Sequence, residues 1–463
     1  MRRLLAIVIA SAMIVSIPTA FSATPKVGGS CTKINQFYEL KSILLVCVVA
    51  KSKKTWRKAT SLERSFFFKE KSRIAAEAAE KARKESIEAL ASKAAADTAA
   101  AKIAADAAIA KAAADAAIAK AAADDAIAKA AAVSEAKAIL DKAALEKALT
   151  MCPSKPQWLK VGIAYNTGGR EDSGINSSAA RGVDWLKACG VEVIEVSLSN
   201  GTDVERESAL LSLTAAGCNP IIAVGYLYAG ALKKVAAPNN TKRYAILDDA
   251  SIGLLNITSL IFASDQGAYL AGVAAAYATR TGKVGFIGGI DIPLIKKREL
   301  AFIAGVKDTN SKLIVEAGYL TKIPDFSGFN DPANAKTVAA AMINSGIDVI
   351  YTSASASNKG VFAAAAVATS KIWTIGDEFD QYYIASDSEK ENMLTSVLKN
   401  FDVATFNFVR KVSNGENWYE NIDNSIYGHI FSLQDEGVSL STTGGYLKDF
   451  IASIELAKSK YKP

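Results

Sequence analysis

The chain of 463 residues has a single histidine, His429, and only five cysteines, and these shortages exclude several kinds of chemistry. A zinc site usually needs several histidine or cysteine ligands at close spacing, and the sequence offers no such group. It also contains no G-x-S-x-G, Walker A or G-x-G-x-x-G motif. We therefore expect a protein that is not an enzyme and that uses no cofactor and no metal.

Glycine and proline are both absent from residues 61–150, where Ala, Lys, Glu and Asp dominate. Because these residues favour helices and both main helix breakers are missing, the segment predicts one continuous helix, on the order of 130 Å long. It should end before the prolines at 153 and 156.

A nine-residue unit close to KIAADAAIA repeats three times within residues 102–130. Nine residues make two and a half helical turns, so the isoleucines of successive units face opposite sides. This spacing disfavours an ordinary coiled coil and favours a solitary helix, with association through alanine faces as the alternative. Lysines and aspartates four residues apart predict small stabilising pairs, namely Lys102–Asp106, Lys111–Asp115 and Lys120–Asp124.

The first 22 residues have two arginines, a short apolar run and then small residues, which is typical of a secretory signal peptide. A retained transmembrane anchor is disfavoured because Pro18 ends the apolar run. Cys31 lies too far from that run for a lipobox. We expect an exported protein of the cell envelope, either periplasmic or surface-associated.

Residues 23–60 form a small basic segment, and between positions 23 and 74 there are 12 Lys and Arg against three Glu. Such a surface could contact an anionic envelope polymer, although a merely solvated basic face is equally compatible with the pattern. Export permits disulfides, and a segment this small needs one, so we predict a Cys31–Cys47 bond. The sequence does not choose a pair among Cys152, Cys189 and Cys218.

From residue 154 to 463, short β-branched runs alternate with alanine-rich helical patterns. This alternation predicts an α/β fold with parallel sheets, and the number of strands favours two doubly wound lobes. In such sheets ligands bind at the carboxyl ends of the strands. The predicted strands are Lys160–Tyr165, Val191–Val196, Pro220–Val224, Tyr244–Leu247, Lys283–Ile287, Ile314–Ala317, Ile347–Tyr351 and Lys371–Ile375.

Two loops at strand ends carry the polar groups that a ligand site would need. Residues 166–176 follow the first predicted strand and contain an adjacent Gly-Gly pair. Residues 376–381 follow the last one and contain three carboxylates and an aromatic residue, a set suited to sugar hydroxyls.

An ordered set of segments resembles the basic membrane protein family, the purine-nucleoside-binding substrate-binding proteins of ABC transporters. The resemblance covers about residues 158–440 and nothing in residues 1–150. The segments are VGIAYNTGGREDSGINSSAARGV (161–183), YAILDD (244–249), DQGAYLAGVAAAY (265–277), KVGFIGGIDIP (283–293), GFNDPANAK (328–336), GIDVIY (346–351), IGDEFDQ (375–381) and TSVLK (395–399).

The resemblance implies a type I periplasmic-binding-protein fold, with two hinged lobes and the ligand between them. The first lobe would comprise about residues 158–280 plus a C-terminal part, and the second about residues 283–399. The implied partners are a nucleoside-like small molecule and a membrane permease that receives it; no nucleic acid is implied.

The resemblance also assigns roles to particular residues. The family usually has Asp where this chain has Asn166 and Phe where it has Ile175, and Ser353–Gly360 replaces a glycine-rich loop. Another nucleoside, a nucleobase or another small polar ligand therefore stays open. By motif match, Asn166 and Thr167 face the base, Asp248 lines the cleft, Phe329 stacks on the ring, and Asp377 and Lys399 hold the ribose hydroxyls. Ile175 stands at the position of a stacking Phe and so removes one stacking face.

Two other classes of protein remain as alternatives. One is a structural or adhesive surface protein, in which the helix is the active part and the lobes have lost ligand binding. The weaker one is a ligand sensor for a membrane kinase or chemoreceptor. For the favoured solute-binding protein, we expect the basic segment to hold the protein at the envelope in place of a lipid.

Overall fold

The computed structural model describes residues 24–32, 36–40, 42–418, 420–423 and 426–461. It divides into two compact units, one up to Asp124 and one from Asp125 onward. The signal peptide expected over residues 1–22 lies outside the described residues. No described helix combines the length and the apolar character that crossing a bilayer requires.

The first unit begins with an antiparallel sheet of three strands, β1 (Phe37–Leu40), β2 (Ile43–Ala50) and β3 (Lys53–Lys58), in that spatial order. The residues of β2 alternate between two apolar clusters, as the pleat of a strand requires. On one face, Leu45 and Cys47 pack with Trp56, and on the other Leu44 and Val46 pack with Phe67 of the following helix. The predicted Cys31–Cys47 disulfide is confirmed.

The predicted long helix is also confirmed, as α1 (Ser61–Leu149), a single helix of 89 residues. At its start, the Glu63 amide donates to the Thr60 hydroxyl and the Glu63 carboxylate accepts from the Thr60 amide, which caps the first turn. Residues 71–132 of α1 are all exposed.

The lysine–aspartate pairs predicted within the repeat behave differently from the expectation. Within the described residues, Lys102, Lys111 and Lys120 form no ion pair with the aspartates four positions later, whereas Lys129 pairs with Asp125 at 2.8 Å. The order of the charges does not decide the pairing, because Lys137 precedes Asp141 by four residues on the same helix and pairs with it.

The second unit begins with the last turns of α1. Its elements, in chain order, are β4 (Val161–Ala164), α2 (Ile175–Ala188), β5 (Val193–Val196), α3 (Asp203–Ala215), β6 (Ile221–Val224), α4 (Ala229–Ala236), β7 (Tyr244–Leu247), β8 (Ile257–Phe262), α5 (Ser264–Ala278), β9 (Lys283–Asp291), α6 (Pro293–Thr309), β10 (Ile314–Lys322), α7 (Pro332–Asn344), β11 (Val349–Ser353), α8 (Asn358–Ala366), β12 (Trp373–Gly376), α9 (Asp387–Lys390), β13 (Met393–Lys399), α10 (Phe401–Ser413), β14 (Glu420–Asp423), β15 (Ile426–Phe431), β16 (Val438–Leu440) and α11 (Ile451–Lys460).

These strands form two separate sheets, one for each lobe. The first has the order β14-β15-β8-β7-β6-β4-β5 and is parallel except at β14. The second has the order β10-β9-β11-β12-β13-β16 and is parallel except at β16. The predicted class, an α/β fold of two doubly wound lobes behind a long helix, is therefore confirmed.

The chain passes between the lobes three times, between β8 and α5, between β13 and α10, and between β15 and β16. Helix α5 packs against α6 and the second sheet, although the sequence analysis placed it in the first lobe. Glycines permit the close packing of α5 on α6. A Cβ on Gly272 would collide with the Phe302 carbonyl, and a Cβ on Gly305 would collide with the Tyr269 carbonyl.

The remaining cysteines are now assigned. Cys152, three residues after α1, forms a disulfide with Cys189 at the end of α2, and Cys218 is buried outside any disulfide. The sole histidine, His429, lies on β15, where it stacks on Trp418 and contacts the Glu420 carboxylate at 2.8 Å.

Candidate functional site

The carboxyl ends of strands from both sheets carry a cluster of charged side chains, which we call the charge cluster. Asp248 directly follows β7 of the first sheet, and Lys399 ends β13 of the second. Asp377 and Glu378 directly follow β12. The cluster is completed by Arg298, which reaches it from α6.

Lys399 connects the two lobes within this cluster. Its ammonium nitrogen lies 2.7 Å from Asp248 Oδ2 on the first lobe and 3.2 Å from Glu378 Oε1 on the second. The lysine side chain is only 5% exposed, while those of Asp248 and Glu378 are 29% and 35% exposed. The two carboxylates therefore face the space between the lobes, and the lysine lies behind them.

Asp377 has a different environment, because its carboxylate already has three donors. Arg298 Nη1 lies 2.6 Å from Asp377 Oδ2, the Ser353 hydroxyl donates to the same oxygen at 2.7 Å, and the Tyr351 hydroxyl donates to Oδ1 at 3.1 Å. The residue is 3% exposed. A carboxylate with these partners stabilises the loop after β12 and has little capacity left to accept hydrogen bonds from a ligand.

The backbone conformation explains why the Asp377 carboxylate is enclosed whereas that of the neighbouring Glu378 is partly exposed. Glu378 has a φ of 74° and Asp248 a φ of 65°, a left-handed conformation that residues with a Cβ adopt infrequently. The turn at Glu378 also lets its carbonyl accept from the Lys399 amide at 3.0 Å. Such strained positions concentrate at functional sites.

The charges shift the pKa values of the cluster in opposite directions. The charge of Lys399, aided by Arg298, lowers the pKa of Glu378 to about 2 despite its burial. Burial raises the pKa of Asp248, and the charge of Lys399 opposes this only in part. Burial alone would lower the pKa of Lys399, but the charges of Asp248 and Glu378 raise it. Glu378 and Lys399 therefore remain ionised over a wide pH range.

The loop after β4 brings together a second group of predicted site residues. Asn166 Oδ1 accepts from the Thr167 amide at 2.8 Å, and the buried Asn176 fixes the Asn166 backbone from α2. A Cβ on Gly225, which has a φ of 92°, would lie 3.5 Å from Ile175 Cδ1 and 3.6 Å from Asn166 Nδ2. Asn166 and Ile175 thus adjoin the same glycine at the end of β6.

Two further predicted residues have distinct positions. Thr167 is exposed, and its hydroxyl lies against Gly201. Phe329 follows β10, is half-buried, and its ring lies over Gly289 of β9, where a Cβ would approach Cδ1 to 2.5 Å. The glycine at 289 is therefore what makes room for this aromatic ring.

The family of PnrA-like ABC transporter substrate-binding proteins, also called Bmp, matches residues 160–462, and the chain belongs to this family. The segment before residue 160 lies outside the match. Proteins of this class bind a small molecule, deliver it to a membrane permease, and are exported or surface-associated.

Two relatives and one solved structure illustrate the similarity. The chain is 31% identical over 276 residues to the ABC transporter nucleoside-binding protein BmpA of Lactococcus lactis, covering 56% of this chain and 76% of that protein. It is 30% identical over 254 residues to basic membrane protein A2 of Borrelia garinii, covering 54% and 73%. These relatives are named as binding or membrane proteins and not as enzymes.

A solved structure of an ABC transporter solute-binding protein from Conexibacter woesei covers 66% of this chain and 98% of its own, with 19% identity and a TM-score of 0.51. At this identity the likeness supports the fold alone. It agrees with the periplasmic-binding-protein architecture of the two lobes.

Sequence reasoning missed two members of the charge cluster, Glu378 and Arg298. Glu378 stood within a quoted motif, but only the left-handed turn distinguishes it from Asp377. Arg298 is 79 residues from Asp377 in the chain, and no spacing rule links a residue of α6 to the end of β12.

Proposed function

We propose that this protein is the solute-binding component of an ABC importer that captures a nucleoside, with purine nucleosides favoured, and delivers it to a membrane permease. The observation that carries the proposal is the Asp248–Lys399–Glu378 arrangement, which spans both lobes. The nucleoside-binding function in the name of the Lactococcus relative supports the same ligand class.

The charge cluster suits the sugar of a nucleoside. Two adjacent ribose hydroxyls can each donate to a carboxylate, and Asp248 and Glu378 present two partly exposed carboxylates held by one lysine. Hydrogen bonds to charged groups are stronger than those between neutral groups. In this arrangement Glu378 takes the ribose role that the motif match gave to Asp377, because the Asp377 carboxylate is engaged by Arg298.

The base would be held by the remaining predicted residues. Phe329 offers an aromatic face for stacking, which tolerates different bases. Asn166 offers an amide that can both donate and accept, and Ile175 supplies an apolar contact beside it. A ligand that contacts both Asp248 and Glu378 links the two lobes and so favours their closed arrangement.

Thermal unfolding of the full-length protein with single nucleosides tests this proposal. At least one purine nucleoside is expected to raise the Tm in a concentration-dependent way, because a ligand that binds only the folded state stabilises it. Glu378→Gln should weaken binding by about tenfold or more, since it removes a charged acceptor. The matched control is Glu391→Gln, a change at an exposed glutamate of the same lobe, which should leave binding unchanged.

If no purine or pyrimidine nucleoside shifts the Tm, the nucleoside proposal is wrong. That outcome would favour the surface structural protein as the function of this chain. If a nucleobase alone raises the Tm as much as the nucleoside does, the charge cluster does not bind the ribose.

We also propose that the first unit binds an anionic polymer of the cell envelope. The supporting observation is the β2–β3 hairpin, whose turn and first β3 residues expose Lys51, Lys53 and Lys54. Clustered cations attract polyanions, and this attraction weakens with salt. The adjacent Glu39 and Glu63 do not offset these charges, because they pair with Lys71 and Arg57.

Elution of the full-length protein from immobilised polyphosphate by a salt gradient tests the second proposal. Replacing Lys51, Lys53 and Lys54 by glutamine should lower the salt concentration needed for elution. The matched control replaces Lys102, Lys111 and Lys120 of the repeat, which removes the same charge elsewhere. Equal elution of both variants would contradict a role for the hairpin.

A further inference from the structure

The side-chain amide of Asn166 is held in one orientation by its neighbours. Its oxygen, Oδ1, accepts from the Thr167 amide at 2.8 Å, and the Thr167 hydroxyl and Arg206 Nη2 each lie 3.5 Å from it. Two of these three groups are N–H donors, so exchanging the amide oxygen and nitrogen would place an N–H group against two other N–H groups. The oxygen of Asn166 therefore points at these donors.

One of the donors, Arg206, is a buried arginine on α3 of the first lobe. Its side chain is 7% exposed, and its Nη1 atom donates at 2.8 Å to Asp203, which is 86% exposed. Among the described residues, its Nε atom has no hydrogen-bond partner. A buried charge is costly unless it is hydrogen-bonded. The Asn166 oxygen thus offsets part of the cost of burying this guanidinium.

The nitrogen of the same amide, Nδ2, lies beside a glycine at the edge of the first sheet. Within the described part of the chain, Nδ2 donates to no protein group. A Cβ on Gly225 would lie 3.6 Å from Nδ2 and 3.5 Å from Ile175 Cδ1, and glycine leaves that position open. Asn166 and Gly225 lie just beyond the ends of β4 and β6, where such sheets bind ligands.

We propose that Asn166 acts only as a hydrogen-bond donor to the base of the ligand, and that Arg206 is the positioning residue that keeps it in this role. Of the two capacities of an amide, accepting is already used by the protein and donating is left. The nucleoside itself rests on the proposed function, and this inference names the group recognised at position 166, which is a ring nitrogen or carbonyl oxygen. Aspartate, the usual residue of the family here, can only accept.

The charge of Arg206 also strengthens the donor. Hydrogen bonds that form a chain polarise one another, so a cation near Oδ1 makes the N–H group on Nδ2 a better donor. A base that turned its own N–H group toward Nδ2 would leave two donors facing each other, and an unpaired buried donor is costly. The arrangement therefore selects a base by the group that it presents to Asn166.

The first test compares adenosine with 1-deaza-, 3-deaza- and 7-deazaadenosine, in each of which one ring nitrogen is replaced by C–H. Calorimetric titration of the full-length protein measures each affinity. One of the analogues, the sensitive analogue, should bind about tenfold or more weakly than adenosine, because it leaves Nδ2 without an acceptor. If a different nucleoside binds in place of adenosine, its own deaza analogues are used.

Asn166→Asp should abolish this preference. The new carboxylate would face the lone pair of the same ring nitrogen, so adenosine should bind this variant about tenfold or more weakly than it binds the unsubstituted protein. The sensitive analogue, which lacks that lone pair, should bind the variant at least as tightly as adenosine does. The matched control is Asn240→Asp, which adds the same charge at an exposed asparagine of the same lobe and should keep the original preference.

Arg206→Met tests the positioning role. Methionine fills a similar volume but carries neither a charge nor a donor. The factor that separates adenosine from the sensitive analogue should fall below about threefold, because the amide is then less polarised and less restrained. A merely structural role of Arg206 would weaken both ligands equally and leave this factor unchanged.

Unfolding in urea without ligand tests the geometry independently and shows whether each variant folds. Asn166→Asp should raise the urea midpoint, because the new carboxylate would pair with the buried guanidinium of Arg206. The same substitution should not raise the midpoint of a protein that also carries Arg206→Met, since the partner is then absent.

The outcomes separate this inference from the proposed function. Equal affinities for adenosine and all three analogues, or an unchanged preference in Asn166→Asp, would overturn the donor role. An unchanged factor in Arg206→Met would overturn the positioning role. If no nucleoside binds the unsubstituted protein, the proposed function fails and the urea midpoints alone decide. A rise that depends on Arg206 then supports the arrangement at position 166, and no rise contradicts it.

Discussion

The exposed part of α1 and the two-lobed domain are built on opposite principles within one chain. Residues 71–132 of α1 bury nothing, so their structure depends on helix propensity and on the absence of glycine and proline. The two lobes depend on buried contacts between residues far apart in sequence, such as Arg298 with Asp377. A local change should therefore stay local in the helix and spread in the domain.

The buried Arg298–Asp377 pair gives the largest expected effect. Asp377→Asn leaves a buried guanidinium without its carboxylate and should destabilise the domain by about 3–5 kcal/mol. The measurement is the free energy of unfolding of the full-length protein in urea. The control, Asp106→Asn in the exposed repeat, should change it by less than about 0.5 kcal/mol. Equal losses of unfolding free energy in both variants would contradict the difference between the exposed helix and the two-lobed domain.

A helix breaker in the repeat should have a smaller and confined effect. Ala113→Pro costs about 3 kcal/mol locally, because proline removes a backbone hydrogen bond and clashes with the preceding turn. Circular dichroism should show less helix, while the Tm of the two-lobed domain and its ligand binding stay unchanged. Ala113→Leu, which keeps a strong helix former, is the control. Loss of ligand binding in the proline variant would show that the repeat acts on the cleft.

The smallest expected effect is the change of nucleoside affinity with pH, which depends on the charge cluster. Because burial raises the pKa of Asp248, this carboxylate takes up a proton at a higher pH than an ordinary aspartate, whereas Glu378, with a pKa of about 2, stays charged. As the pH falls from 7 towards 4, Lys399 should lose its partner on the first lobe first. Nucleoside affinity should then fall severalfold.

The control for this titration is Asp248→Asn, whose affinity should vary less over the same pH range because its side chain does not titrate. Calorimetric titrations at each pH measure both proteins. A flat profile for the unsubstituted protein would show that Asp248 does not change its charge in this range.

The sequence predicted the fold well where patterns are local. All eight strands expected from β-branched runs are present. Each run forms a strand beside other strands of a buried sheet, an environment that favours β-branched residues. Five strands of the two-lobed domain were not among the predicted ones. Strand β8 follows β7 without an intervening helix, β14 and β16 are short antiparallel edge strands, and β13 and β15 lie beyond the last predicted strand.

Long-range partners were the part that the sequence could not supply. The Cys152–Cys189 bond needs the end of α1 to lie beside the end of α2, which no spacing indicates. Likewise, the choice between Asp377 and Glu378 depends on a left-handed turn and on an arginine from α6. Both are properties of the packed domain and not of the motif.

The central claim, that the charge cluster holds the ribose of a nucleoside, is tested most directly by calorimetric titration of the full-length protein with adenosine and with 2′-deoxyadenosine. The account predicts saturable binding of one adenosine per chain, and affinity for the deoxynucleoside lower by about tenfold or more, because one hydrogen bond to a charged group is lost. Equal affinity for the two ligands, or no binding of either one, would contradict it.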